Sequence, residues 1–257
     1  MFKFFRKIRQ KLLSEGLSAG QVGKTSQYLK YAIGEIFLVV IGILIALSIN
    51  NWNEQRKQTK ARQLFTESML LELKKDSTFL VDIIDELDES IAILQDLKHR
   101  INNPMATLDT IDHILKYEYN PGFVNAVDLN KNTFSTLSTS SQIALFKNTD
   151  ADHIQTYYQL VLNMENFQED QLNFYRDTFS KFLEKVPSAD NMVEYPLLDP
   201  GKLKDQIWNG VDMQAARLQF GGITTLQNHI FITFLRMDKE LLEANQKLIH
   251  HLKGNFP

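Results

Sequence analysis

The chain has 257 residues, 28 Lys and Arg against 31 Asp and Glu, and no cysteine. That length is ample for a sizeable core, and the lack of cysteine excludes a disulfide scaffold, a thiolate zinc site and a cysteine nucleophile. With 11 glycines and 6 prolines the chain holds well under the roughly 12% of average usage, too few for the many tight turns of an all-β protein.

The net charge of −3 hides a division. Residues 1–30 hold seven bases (Lys3, Arg6, Lys7, Arg9, Lys11, Lys24 and Lys30) against one acid, Glu15. The excess of acid lies after residue 50. In the tail Phe2, Phe5, Ile8 and Leu12 follow helical spacing with bases mostly elsewhere on the wheel, the pattern of a helix lying on an anionic membrane surface. Ser18-Ala19-Gly20-Gln21-Val22-Gly23-Lys24-Thr25 is one residue away from a phosphate-binding loop, with Ser18 where the first Gly belongs. Such a loop needs a strand before it and a helix after it in an α/β setting, so we expect no nucleotide.

Ala32 to Ile49 reads AIGEIFLVVIGILIALSI, 18 residues with a single charge. As a helix it covers about 27 Å, close to the roughly 30 Å of a hydrocarbon core. Tyr31 and Trp52 stand as interfacial anchors at its two ends. Ala46-Leu47-Ser48 is spaced like a signal cleavage site, but the apolar run exceeds the usual 7–15 residues of a signal peptide, and a signal anchor fits better. Arg56, Lys57, Lys60 and Arg62 follow the run closely, so the near flanks do not decide orientation. Charge over the whole short tail favours an N-terminus inside and a body outside, because long C-terminal domains translocate largely regardless of charge. The expected organisation is a basic cytoplasmic tail over 1–30, a membrane helix over 31–52 and a helical extracytoplasmic domain over 53–257.

An acid inside a membrane segment is costly and invites a functional reading, and Glu35 is such an acid. It lies about one turn inside Tyr31, shallow enough to meet a headgroup, Lys30 or an Arg of the tail. Gly42 is seven residues on, hence on the same face, and Gly42 with Ala46 forms a small-xxx-small pair, with Gly34 another small site nearby. That face suits association with a second copy or a partner membrane helix.

FFRKIRQKLL, followed by GKTSQYLKYAIGEIFLVVIGILIALSINNWNEQRK, closely resembles the N-terminal signature of an uncharacterised bacterial family, domain of unknown function 6090. LSAGQV looks like an insertion between the two parts of that signature. Beyond it the likeness is weak and centres on Thr133–Tyr158. The resemblance implies a single-pass inner-membrane protein of a didermal bacterium with no assigned activity.

Asn53 to Ile101 contains neither Gly nor Pro and is expected to form one helix ended by Asn102-Asn103-Pro104. Leu73, Leu80, Leu87, Leu94 and Ile101 recur every seven residues, with Leu70, Ile84 and Ile91 at partner positions interrupted by Ser77 and Lys98. Lys75, Asp82, Glu89 and Asp96 oppose them. Val81, Ile83 and Leu97 widen the stripe beyond a coiled-coil seam, which favours a bundle. Short helices are expected at Leu108–Tyr119 and from Asn132 or Thr133 through Leu137. A long one is expected from Asp150 to Val186, with Ile154, Tyr158, Val161, Leu172, Tyr175, Phe179 and Phe182 facing a core. Residues 187–201 are loop-like, and a last helix is expected from about Ile223. The fold class is therefore all-α: one N-terminal transmembrane helix and an extramembrane antiparallel bundle.

The six histidines show no metal-binding spacing, and His250-His251 read as a solvated pair. Ser135 to Ser141 lacks a nucleophile elbow and reads as a polar helix end. The acidic body argues against nucleic acid as a partner. The expected protein is thus a non-enzymatic membrane-anchored scaffold without catalytic, cofactor or metal residues, its partners being membrane lipids and other membrane helices. The alternative is an accessory subunit of an ion-driven complex that uses Glu35.

Overall fold

The computed structural model describes residues 24–122, 126–186 and 202–255, with side chains placed for 31–122, 126–186 and 206–254. The amphipathic pattern of the tail, the P-loop-like run up to Gly23 and the loop-like stretch 187–201 lie outside the described residues. Six α-helices and no strand occur among them: α1 Lys24–Ile101, α2 Leu108–Tyr117, α3 Asn132–Thr139, α4 Asn148–Leu183, α5 Lys202–Asn209 and α6 Met213–Asn255, with a 3₁₀ turn at Gln142–Leu145. The chain divides into two compact units, residues 1–61 and 62–257.

In the first unit α1 is uncovered. From Ala32 through Lys60 nearly every residue is exposed, and within the 18-residue apolar window none is buried. This is the one helix among the described residues long and apolar enough to cross a membrane.

The second unit is a bundle of α6, α4 and the body portion of α1. Asp150 pairs with His251, Tyr157 with Asn245 and Gln168 with Asp238, so α4 and α6 run antiparallel. Lys239 reaches Asp88, whereas Leu94 and Leu97 share a groove with Gln227 and Phe231, so α6 also runs antiparallel to α1. Leu73, Leu80, Leu87 and Leu94 are buried as their seven-residue spacing predicts, and Ile83 and Leu97 widen the stripe. Val81 does not, being 41% exposed, because the buried steps run Met69, Leu73, Asp76, Leu80, Ile83, Leu87 and place it on the solvent side. The buried face of α4 carries Ile154, Tyr158, Val161, Leu172, Tyr175 and Phe182, with Phe179 half-buried.

α1 is helical throughout Lys24–Ile101. One boundary differs from expectation. The last helix begins at Met213, ten residues before Ile223, because Asp212 caps it by accepting from the N–H groups of Gln214 and Ala215 at 3.1 and 3.2 Å. Gly221 and Gly222 do not interrupt it: Phe220 and Ile223 on either side are buried, and that packing outweighs the roughly 1 kcal/mol propensity cost of each glycine.

Connections between helices are held by charge. Arg100 at the end of α1 forms a two-pronged pair with Glu118, whose carboxyl it holds below the usual carboxylate range. Arg217 of α6 grips Asp112 of α2 through Nε and Nη2 at 2.7 and 2.6 Å.

Leu87 is fully buried and Glu89, two residues on, is exposed. Leu87→Ala in residues 62–257 should cost about 2–5 kcal/mol and lower the melting temperature by several degrees. Glu89→Ala should leave it almost unchanged in the same thermal-unfolding measurement.

Candidate functional site

Two places in the molecule gather polar chemistry. The first is the uncovered face of α1. Glu35 is exposed and makes no ion pair among the described residues. Gly34 and Gly42 have no atom of another element within 4 Å of where a Cβ would sit, and Ala46 is exposed, so this face is open to close approach. Tyr31 is half-buried and Trp52 is 63% exposed, its ring lying 6.0 Å from the guanidinium carbon of Arg56. At helical spacing Glu35, Gly42 and Ala46 lie on one face of α1, and all three are exposed.

The second place was not legible in the sequence. Residues 126–131 form a connector that is neither helix nor strand, with no strand beside it among the described residues, so its N–H groups need other acceptors. Side chains of α1 and α4 supply them. Val127 donates to Gln168 Oε1 and Leu129 to Glu165 Oε1, both at 2.9 Å. Asn130 donates its backbone N–H to Asp76 Oδ1 at 3.0 Å and its side-chain amide to the same oxygen at 2.5 Å. Thr133, at the start of α3, donates N–H and hydroxyl to Glu72. Lys131 closes the clamp on Glu165 at 2.7 Å.

Behind the clamp lies a polar seam between α4 and α6. Gln168, fully buried, accepts from Val127 and donates to Asp238 Oδ1 at 2.6 Å, so one amide links connector, α4 and α6. Asn245 donates to the Tyr157 hydroxyl at 3.1 Å. At the far end Tyr119 donates to Gln227, which in turn donates to the carbonyls of Asn120 and Gly122, and Tyr175 donates to that of Pro121. Asp76 Oδ2, Asp238 Oδ2, Asn245 Oδ1 and the Tyr158 hydroxyl are buried with no hydrogen-bond partner among the described residues. Burial pushes Asp76 up despite the two donors from Asn130, and pushes Asp238 up to about 6 against the single donor Gln168. Burial also raises the hydroxyls of Tyr119, Tyr157, Tyr158 and Tyr175 above their ordinary range.

The sequence did carry one signal for this seam. Asp76 stands three residues after Leu73 and four before Leu80, a charged residue at an interior position of the apolar repeat. His251 is a second departure from expectation: half-buried rather than solvated, it lies 2.9 Å from Asp150 and its ring stacks on His153 at 4.2 Å, while His250 is exposed. No group of three or more His, Asp or Glu among the described residues is placed to hold a metal ion. An open groove of about 350 Å³ runs beside the seam, lined by Glu86, Leu94, Leu97, Glu118, Tyr119 and Gln227.

Among the described residues these features define an all-helical fold, with one membrane-compatible helix and a body closed around a polar seam. The chain belongs to the family of unknown function DUF6090, whose family model matches residues 35–192. No curated protein matches the chain, and no solved structure does. The matched region starts at Glu35 and runs through α1, the clamped connector and α4, so the likeness extends well into the body instead of concentrating in the N-terminal signature. Asp238, Gln227 and Asn245 fall beyond it.

Asp238 carries a proton in the folded body at pH values where it is ionised in the unfolded chain, between 3.8 and about 6. Its contribution to stability is therefore full below the unfolded value, is lost as pH rises towards 6, and is flat above. Asp76 acts in the same direction. Asp238→Asn should flatten the pH dependence of unfolding free energy between pH 4 and 6, removing on the order of 2 kcal/mol of slope across that window. Chemical denaturation of residues 62–257 at a series of pH values reads it, and an unchanged slope would show that Asp238 is ionised throughout.

Proposed function

We propose that this chain is a membrane-anchored interaction protein: Ala32–Ile49 spans a bilayer once, and the helical body serves as a scaffold without catalytic chemistry of its own. One observation carries the reading. Ile33, Ile36, Phe37, Val39, Ile43, Leu44, Leu47 and Ile49 are all about half exposed or more, in one unbroken helical run. Leaving so many large apolar side chains in water forgoes about 1.5–3 kcal/mol each, and a hydrocarbon core recovers it. A core helix of a soluble domain would be covered.

In this reading the basic tail stays on the cytoplasmic side of a bacterial inner membrane and the body faces the periplasm. Glu35, exposed near the start of the run, sits at headgroup depth, where a shallow acid is tolerated. The open face at Gly42 and Ala46 is the place for helix association, where small residues let backbones approach and dispersion can act.

Two experiments test it. With a tag at each end, alkaline carbonate should leave the full-length chain in the membrane pellet. Protease added to spheroplasts should then destroy the C-terminal tag and spare the N-terminal one. A shorter, soluble species lacking the N-terminal tag would instead mark cleavage near Ser48. In a membrane dimerisation assay Gly42→Ile should reduce the signal severalfold and Ile43→Leu should not; equal signals for both would remove the association face.

A further inference from the structure

Just beyond the apolar run, α1 carries three cations that no acid in the described structure answers. Arg56, Lys57 and Lys60 are exposed and form no ion pair among the described residues, although Glu54 is close in sequence. At about 100° per residue, Trp52, Arg56 and Lys60 follow one another along a single ridge with Lys57 at its flank; Glu54 lies about 160° round the helix from Arg56 and about 120° from Lys60, and neighbours only Lys57. Arg56 and Lys57 stand about 10–12 Å beyond Ile49, and Lys60 about 16 Å beyond it. The headgroup zone is roughly 5–8 Å deep on each side of the hydrocarbon, and helical side chains lean towards the helix N-terminus. Here that direction is back towards the apolar run. Arg56 shows the lean directly, since its guanidinium reaches back one turn to lie over the Trp52 ring.

We propose that Arg56, Lys57 and Lys60 form a collar that binds anionic phospholipid headgroups at the body end of the membrane helix. The proposal rests on the membrane reading above and adds a lipid preference to it. Arg56 offers a fork that fits a phosphate, and the two lysines offer mobile charges on either side of it. Trp52 packs at the glycerol level beneath them. Gly42 and Lys60 are five helical turns apart on the same face, so two copies meeting at Gly42 bring their cations together. A headgroup phosphate shared between the copies offsets that repulsion.

The test uses the full-length chain carrying Trp208→Phe, which leaves Trp52 as the single tryptophan. It is reconstituted in phosphatidylcholine vesicles that contain phosphatidylglycerol, with one lipid or the other brominated on its acyl chains to quench Trp52. At equal mole fraction, brominated phosphatidylglycerol should quench severalfold more than brominated phosphatidylcholine. The triple change Arg56→Gln, Lys57→Gln, Lys60→Gln should bring the ratio to about one. Arg56→Lys with Lys57→Arg and Lys60→Arg should preserve it. An undiminished preference in the glutamine variant overturns the collar. Loss of the preference on adding millimolar inorganic phosphate overturns it too, in favour of a site for soluble phosphate. Absence of quenching by both lipids places Trp52 outside any bilayer and overturns the membrane reading itself, a result distinct from quenching without preference.

Discussion

A stretch of backbone outside any helix or strand, packed against helices, must find partners for its N–H groups, and the body is organised around that need. α6 runs antiparallel to both other long helices, so α1 and α4 point the same way and the chain must travel back between them. The returning connector has no strand to pair with. Glu72, Asp76, Glu165 and Gln168 take that role, reaching from two helices to four backbone N–H groups. Hydrogen bonds to charged acceptors contribute about 1.5–3 kcal/mol each, and an unmet donor costs about 1–3. The clamp therefore fixes where the connector lies and, through it, where α3 begins.

The same arrangement leaves acceptors to spare. Asp76 and Asp238 each use one oxygen and bury the other without a hydrogen-bond partner among the described residues. An apolar pair at these positions would pack without that desolvation cost, so the carboxyls weaken the interior while restricting how it can be assembled. Gln168 shows why the restriction is tight: with both ends of its amide engaged, a slip of α6 along α4 breaks its contact with Asp238, and a slip of the connector breaks its contact with Val127. Specific register is obtained here at the expense of strength.

The two units solve opposite problems. The body hides its apolar surface and must satisfy the polar groups trapped with it. In the first unit the apolar surface is outside, along a helix whose own hydrogen bonds satisfy its backbone, and a bilayer is the solvent such a helix suits. The bases that follow, Arg56, Lys57 and Lys60, are exposed too and form no ion pair among the described residues.

Sequence alone determined the membrane-compatible helix, since length, apolarity and helical spacing are local properties. It also determined the buried stripes of α1 and α4, where Leu73, Leu80, Leu87, Tyr158, Leu172 and Phe182 repeat at helical period. It missed the start of α6, because the Gly221-Gly222 pair outweighs the quieter cap at Asp212 in any local reading. Only the tertiary structure decided the polar seam. Gln168 and Asp238 lie 70 residues apart, Asp76 and Asn130 lie 54 apart, and Asp150 and His251 lie 101 apart. Nothing in the periodicity of one helix states which acceptor on another will face it. That choice follows from the path of the connector, and it is made only when three helices close around a stretch of backbone that has no strand to bond to.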